Sequence, residues 1–215
     1  VNGELPFNDA ADGYVRDAYG LDDELSKDDY HAGKKFESVS FAGRDLAGHT
    51  FEDCVFSSCH FIEVPLARVA FVSCAFRQSE LSLVKIENTT LNSVRFEGCK
   101  LIGLNFTDCN KFGFLPDFSD CLLDSSVFYA NCLKKGRFLE CTIRNCDFIE
   151  CDMREADFSD STLESSTFQK CNLEKADFRS SSDYSIDPLN NRLSKARFTL
   201  PEAQSFLGFL GIKIE

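Results

Sequence analysis

The chain has 215 residues, a formal net charge of −12 and an isoelectric point near 4.7. That balance disfavours direct binding to nucleic acid or to an anionic membrane surface and favours a basic partner surface. No apolar run approaches the roughly 18 residues of a membrane span, and the polar, acidic N-terminus has no basic segment leading into an apolar one, so a cytoplasmic protein is expected.

Phe is over-used at 22 residues, Cys occurs 11 times, Met once and Trp not at all. Bias of this kind accompanies internal repetition. Residues 1–33 come first, with nine acids against Arg16 and Lys27. Within them DGYVRDAYGLDDELSK suits a short helix, and the whole segment reads as an acidic N-terminal cap or tail.

From Phe36 an apolar residue returns at every fifth position. One run of fifteen such centres extends from Phe36 to Phe106, and a second of thirteen from Phe118 to Phe178. A helix needs a period near 3.6 and a strand a period of 2, so neither explains the pattern. Two positions before each centre stands a small residue, as in Cys54, Cys59, Ser79, Cys141, Ser161 and Ala176, and the remaining positions are mostly polar. Each five-residue unit therefore turns one large and one small side chain inward. Every twenty residues the same kind of centre recurs: Phe118, Phe138, Phe158 and Phe178 form one column, with Leu123, Ile143 and Leu163 in another. Four units per turn describe a square coil whose turns stack at the strand spacing of about 4.8 Å, giving about seven turns. The step from Phe106 to Phe118 is twelve residues, so the register slips at about 107–117, in CNKFGFLPDF around Pro116.

Ten of the eleven cysteines fall at the small inward position, Cys109 among them if the first register runs on to Lys111, while Cys132 lies beside a centre. Small buried thiols, rather than metal ligands, suit that position. The histidines His31, His49 and His60 bring no constellation for nucleophilic catalysis, and there is no phosphate-binding loop or zinc motif. No enzyme activity, cofactor or metal is expected.

Charge is uneven. Residues 34–139 balance twelve acids with twelve bases, whereas 140–178 carry ten acids against four bases. Column neighbours lie twenty residues apart, so Asp120, Glu140 and Asp160 share one outward column. Asp157 and Asp177 share another with Arg137, and Asp147 and Asp152 lie on adjacent sides. Like charges stacked at sheet spacing are mildly destabilising, which makes these residues, together with Glu164, candidates for partner binding; the alternative is charge that keeps a rod soluble and free of end-to-end stacking.

Leu193 and Phe198 keep the five-residue register, extending the solenoid over 34–198. Thr199, Pro201 and Glu202 spell a helix start with a capping box, and the helix is expected from Pro201 to Leu207 or Leu210, followed by a short strand in GIKIE. Leu200, Phe206, Leu207, Phe209 and Leu210 are too apolar for a bare end. Residues 199–215 are therefore expected to cover the last coil, a second subunit or both, and a two-fold dimer is the simplest closed solution.

The units CDFIE, ADFSD, CNLEK and ADFRS resemble the A(D/N)LXX motif of the pentapeptide-repeat family over about residues 36–178. The resemblance implies an all-β solenoid, a right-handed quadrilateral β-helix, with a short C-terminal helix. IDPLNNRLSKARFTLPEA (186–203) is similar to the C-terminal signature of the Qnr-like and albicidin- and microcin-immunity branch. That likeness implies a homodimer joined head to head through the C-terminus, a rod that mimics B-form DNA. It also implies DNA gyrase, in some members topoisomerase IV, as the partner protected from quinolones or gyrase-directed toxins. The runs 36–106 and 118–178 lack the loops that interrupt many plasmid-type members and stand closer to the loop-free immunity types. The alternative is a repeat scaffold for a non-topoisomerase protein.

Overall fold

A left-handed backbone residue follows almost every inward centre by two positions. Ser38, Ser58, Asp120, Glu140 and Asp160 all have φ between 52° and 58°. For a side-chain-bearing residue that conformation costs roughly 1–2 kcal/mol. It recurs because it turns the chain through a corner and aims the corner N–H at the next coil: Asp120 donates to the carbonyl of Leu139 and Glu140 to that of Ser159, each at 2.9 Å. Where the turn closes on itself, as in Val69 N–H to Leu66 C=O at 3.1 Å with Arg68 at φ 62°, the geometry is the type II turn that requires a positive φ at its third residue.

The computed structural model describes residues 13–212, which wind into a right-handed four-sided parallel solenoid of about eight turns. One side is a seven-stranded sheet that includes Tyr14–Val15, Lys35–Glu37, Val55–Ser57, Val94–Glu97 and Pro116–Ser119. Two further sides carry four-stranded sheets, one containing Thr50–Glu52 and the other Leu122–Asp124, and the last carries three strands including Asp147–Ile149. Every pairing is parallel and in column register, as in Phe36 with Phe56 and Phe118 with Phe138.

Inside the seven-stranded side, Phe36, Phe56, Phe76, Phe96, Phe118, Phe138, Phe158, Phe178 and Phe198 form one stack. Successive rings lie 4.6–5.3 Å apart and within 20° of parallel. The small inward residues bridge the coils. Ten cysteines are buried and Cys132 is exposed, and thiols such as those of Cys59, Cys74 and Cys151 donate to carbonyls of the preceding coil.

The register slip is confined to one side of one coil. A 3-10 turn at Phe106–Asp108 leads into it. Phe114 turns inward, 2% exposed and 6.2 Å from Phe106, while Phe112 is thrown out at 87% exposure. Column register then resumes with Phe96 opposite Phe118.

Both ends are closed by helical segments that depart from the five-residue repeat. The first coil starts upstream of residue 34: Tyr14–Val15 pairs with Lys35–Phe36, and Tyr30–Ala32 pairs with Thr50–Glu52. Between them runs a helix, Ala18–Lys27, capped by the Asp17 carboxylate, which accepts the Gly20 N–H at 2.7 Å. Its Leu21 is fully buried. The N-terminal part of the expected cap or tail, residues 1–12, lies outside the described residues. At the other end Tyr184 and Phe206 pack over Phe198, with Phe206 edge-on to it at 4.8 Å.

The C-terminal helix is shorter than the sequence suggests: a 3-10 turn, Glu202–Gln204, followed by Ser205–Phe209. The expected capping box is not formed. Thr199 still lies on the last coil, and its hydroxyl donates across to the carbonyl of Arg179 instead of capping the helix. Most of the strand expected in GIKIE falls outside the described residues.

Candidate partner-binding surface

Three positions in each unit face outward: those flanking the centre and the corner itself. The two flanking side chains stand side by side on one strand, so opposite charges there pair within a unit. Arg154 reaches Asp152 at 2.6 Å and Arg179 reaches Asp177 at 2.9 Å. Pairs also form between coils: Arg144 to Asp124 at 2.8 Å, Arg197 to Asp177 at 2.8 Å and Lys170 to Glu150 at 3.5 Å. Hydrogen bonds from Arg154 and Arg179 hold the Asp152 and Asp177 carboxyls below the usual carboxylate range. Asp177 is 8% exposed between its two arginines, so it presents little free charge.

The remaining candidates differ in how much charge they offer. Asp147 accepts the Thr167 hydroxyl at 2.7 Å, and Asp157 accepts the Ser159 hydroxyl and N–H. Asp120, Glu140 and Asp160 occupy consecutive corners of one edge of the seven-stranded side, all exposed. Among the described residues their carboxylates form no ion pair. Asp160's N–H is held by Ser180 Oγ at 2.9 Å, which fixes the top of the ladder. Glu164 is exposed on the neighbouring side.

The eight acids are therefore not one cluster. The structure brings together the Asp120–Glu140–Asp160 ladder, with Glu164 around the corner. Asp147 and Asp152 lie on two other sides, and Asp157 and Asp177 lie along the middle of the ladder's own side. The opposite edge of that side is net basic: its corners carry exposed Lys135, Glu155, Lys175 and Lys195, while Arg137 and Arg197 bracket Asp157 and Asp177 in the middle column. Sequence reading missed this polarity and the arginine pairing. The signal was present in DMR (152–154) and DFR (177–179), where a carboxylate and a guanidinium flank one inward centre.

At the C-terminal end Leu200, Phe209 and Leu210 are exposed at 76%, 42% and 49%, while Phe206 and Leu207 are half-buried. Leu189 and Ile212, exposed at 74% and 51%, belong to the same terminal region and were not singled out from the sequence. Among the described residues no group of His, Cys, Asp and Glu is arranged to hold a metal ion, and no helix is long and apolar enough to cross a membrane.

These features define a parallel β-solenoid scaffold whose chemistry resides in its outward side chains. The model of the pentapeptide repeat region matches residues 49–112 and 115–182, and the chain belongs to the pentapeptide-repeat family. The two matched blocks are separated at the register slip. No curated protein sequence matches the chain. Among solved structures, a trypsin-treated form of QnrB1, a plasmid-mediated fluoroquinolone resistance protein, superposes with a TM-score of 0.70 at 16% identity, covering 94% of this chain and 96% of that one. A second trypsin-treated form gives 0.52 at 18% identity, covering 86% and 91%. HetL, a pentapeptide repeat protein involved in heterocyst differentiation regulation from the cyanobacterium Nostoc, gives 0.38 at 13% identity, covering 82% and 90%.

Proposed function

We propose that the protein is a DNA mimic that binds DNA gyrase, with topoisomerase IV as a second target, and protects the enzyme from quinolones or gyrase-directed toxins. The observation that carries this reading is the Asp120–Glu140–Asp160 ladder: three consecutive exposed carboxylates without ion pairs among the described residues. Neighbouring columns mix acids with bases or bury them, whereas this edge keeps like charges stacked despite the cost of their repulsion. A duplex presents one phosphate charge per ~1.7 Å of axis, and a single ladder at ~4.8 Å per coil matches that coarsely. Glu164 adds charge beside the ladder. The ladder edge would face the basic DNA-binding surface of the enzyme, and the basic edge would face away.

The exposed apolar end, with Leu200, Phe209 and Leu210, supports a homodimer joined through the C-terminus. Pairing two rods there would double the length of the mimic and cover the patch. The likeness of residues 186–203 to the C-terminal signature of the gyrase-protecting branch points to the same partner.

The test is gyrase supercoiling with increasing amounts of purified protein, with and without ciprofloxacin. The proposal expects inhibition of supercoiling or fewer drug-trapped DNA breaks. No effect in either arm, from a protein shown to be folded, would leave a repeat scaffold with a non-topoisomerase partner.

A further inference from the structure

The cap over the N-terminal end is held by a chain of titratable groups, buried at Glu24, His31 and His49 and open to solvent at Asp29. His31 occupies the inward centre that Phe51 and Phe71 hold in the following coils. It is 1% exposed and lies over the Phe51 ring at 4.8 Å. Its Nδ1 stands 3.2 Å from Glu24 Oε1 on the helix Ala18–Lys27, and its Nε2 stands 3.0 Å from His49 Nδ1. His49, at the small inward position before Phe51, turns its Nε2 to Asp29 at 3.5 Å. The other charged groups around the pair are Lys34 and Lys27, at 3.2 and 4.0 Å from Glu24, and Asp45 near His49. From the next coil, Glu52 accepts the Tyr30 hydroxyl.

With both rings neutral, one arrangement of protons satisfies this chain. His31 donates from Nδ1 to Glu24, so its Nε2 accepts the Nδ1–H of His49, and His49 Nε2 is left without a proton beside Asp29. A first added proton goes to His49 Nε2, facing Asp29, and breaks no hydrogen bond. The one ring nitrogen then left without a proton is His31 Nε2. A proton there would set two N–H groups facing each other across 3.0 Å, on rings that lie edge to edge with centroids 5.3 Å apart and planes within 6° of parallel.

Burial holds His49 below the usual histidine range. Burial also works against the Glu24 carboxylate, but hydrogen bonds from His31 and Lys34 outweigh it and hold that group below its ordinary value. The sign for His49 follows: a histidine with a depressed folded value loses stabilisation as pH falls below its unfolded value of about 6.5.

We propose that Glu24, His31, His49 and Asp29 form an acid-sensitive latch. It keeps the helix Ala18–Lys27 seated on the end of the solenoid near neutral pH and releases the helix as a unit on mild acidification. Release bares the first coil, and an uncovered coil edge is a template for pairing with another strand.

The test is amide hydrogen exchange on the full chain from pH 7.5 to 4.5, corrected for intrinsic rates, with the Phe138 to Phe158 coils as internal reference. Wild type should lose about tenfold or more protection in the helix relative to the reference coils. His31→Phe continues the phenylalanine column and should remove the pH step. His49→Gln can still donate to His31, can turn its oxygen to accept once His31 is protonated, and should blunt the step even if the Phe variant fails to seat the helix. Parallel loss in helix and reference coils, or a step unchanged in His49→Gln, would overturn the latch.

Discussion

Ser161 ties two coils together: its hydroxyl donates to the carbonyl of Phe138 at 2.7 Å and accepts the N–H of Cys141 at 2.8 Å. Ser79 makes the same two bonds with Phe56 and Cys59. Both backbone groups sit inside the rod, where water cannot replace the serine. Ser161→Ala should therefore cost ~1–3 kcal/mol, the range for orphaned buried polar groups. Ser161→Cys should cost less, because a thiol holds the same position at Cys141 and Cys146. Urea unfolding midpoints of the two variants decide the point, and equal losses would mean that packing rather than hydrogen bonding sets the preference.

Phe158 lies between Phe138 at 4.9 Å and Phe178 at 4.6 Å, with Phe168 edge-on at 6.0 Å. Phe158→Ala opens a cavity in the middle of the stack and should cost ~3–5 kcal/mol. Each coil touches only its neighbours, so the loss should fall on local coils before distant ones. Exchange protection around Phe158 against that around Phe56 measures this.

Ten thiols are buried and one is exposed. Burial pushes Cys59 and Cys146 up to about 11 and Cys109 up to about 12. A thiol reagent at pH 8 should find one fast-reacting cysteine in the native protein, and none in Cys132→Ser. Several fast thiols in the Ser variant would show that the coils open readily.

Asp177 is held by Arg179 and Arg197, and its depressed pKa means that the stabilisation is present above the unfolded value of about 3.9 and lost as pH falls through the lower folded value. Asp177→Asn should lower the melting temperature at pH 6 and remove part of the acid-side decline below about pH 4. A wild-type acid limb in the variant would show that the pair contributes nothing to the fold.

The core was legible because the period of five selects the inward residues before any neighbour is known. Phe36, Phe118 and Phe178 needed only counting. The slip was legible as two extra residues, but KFGF offers two phenylalanines, and only packing against Phe106 assigns Phe114 inward and Phe112 outward. The His31–His49 contact was hidden for a different reason. The partners Glu24, His31 and His49 come from a helix, a strand and the small inward position of the next coil, and no local spacing joins them. Of the acids, the ladder could be read from the twenty-residue repeat. The neutralisation of Asp152 and Asp177 needed the further step of noticing that residues on either side of one centre share a face.

The most direct measurement of the central claim is gyrase binding by wild type and by the triple variant Asp120→Lys, Glu140→Lys, Asp160→Lys, with a triple reversal of Lys135, Lys175 and Lys195 to Glu as control. The ladder reversal should abolish binding and any effect on supercoiling while leaving the circular dichroism spectrum unchanged. The basic-edge reversal should leave binding intact. Undiminished binding by the folded ladder variant would contradict the account and place the interface elsewhere on the rod.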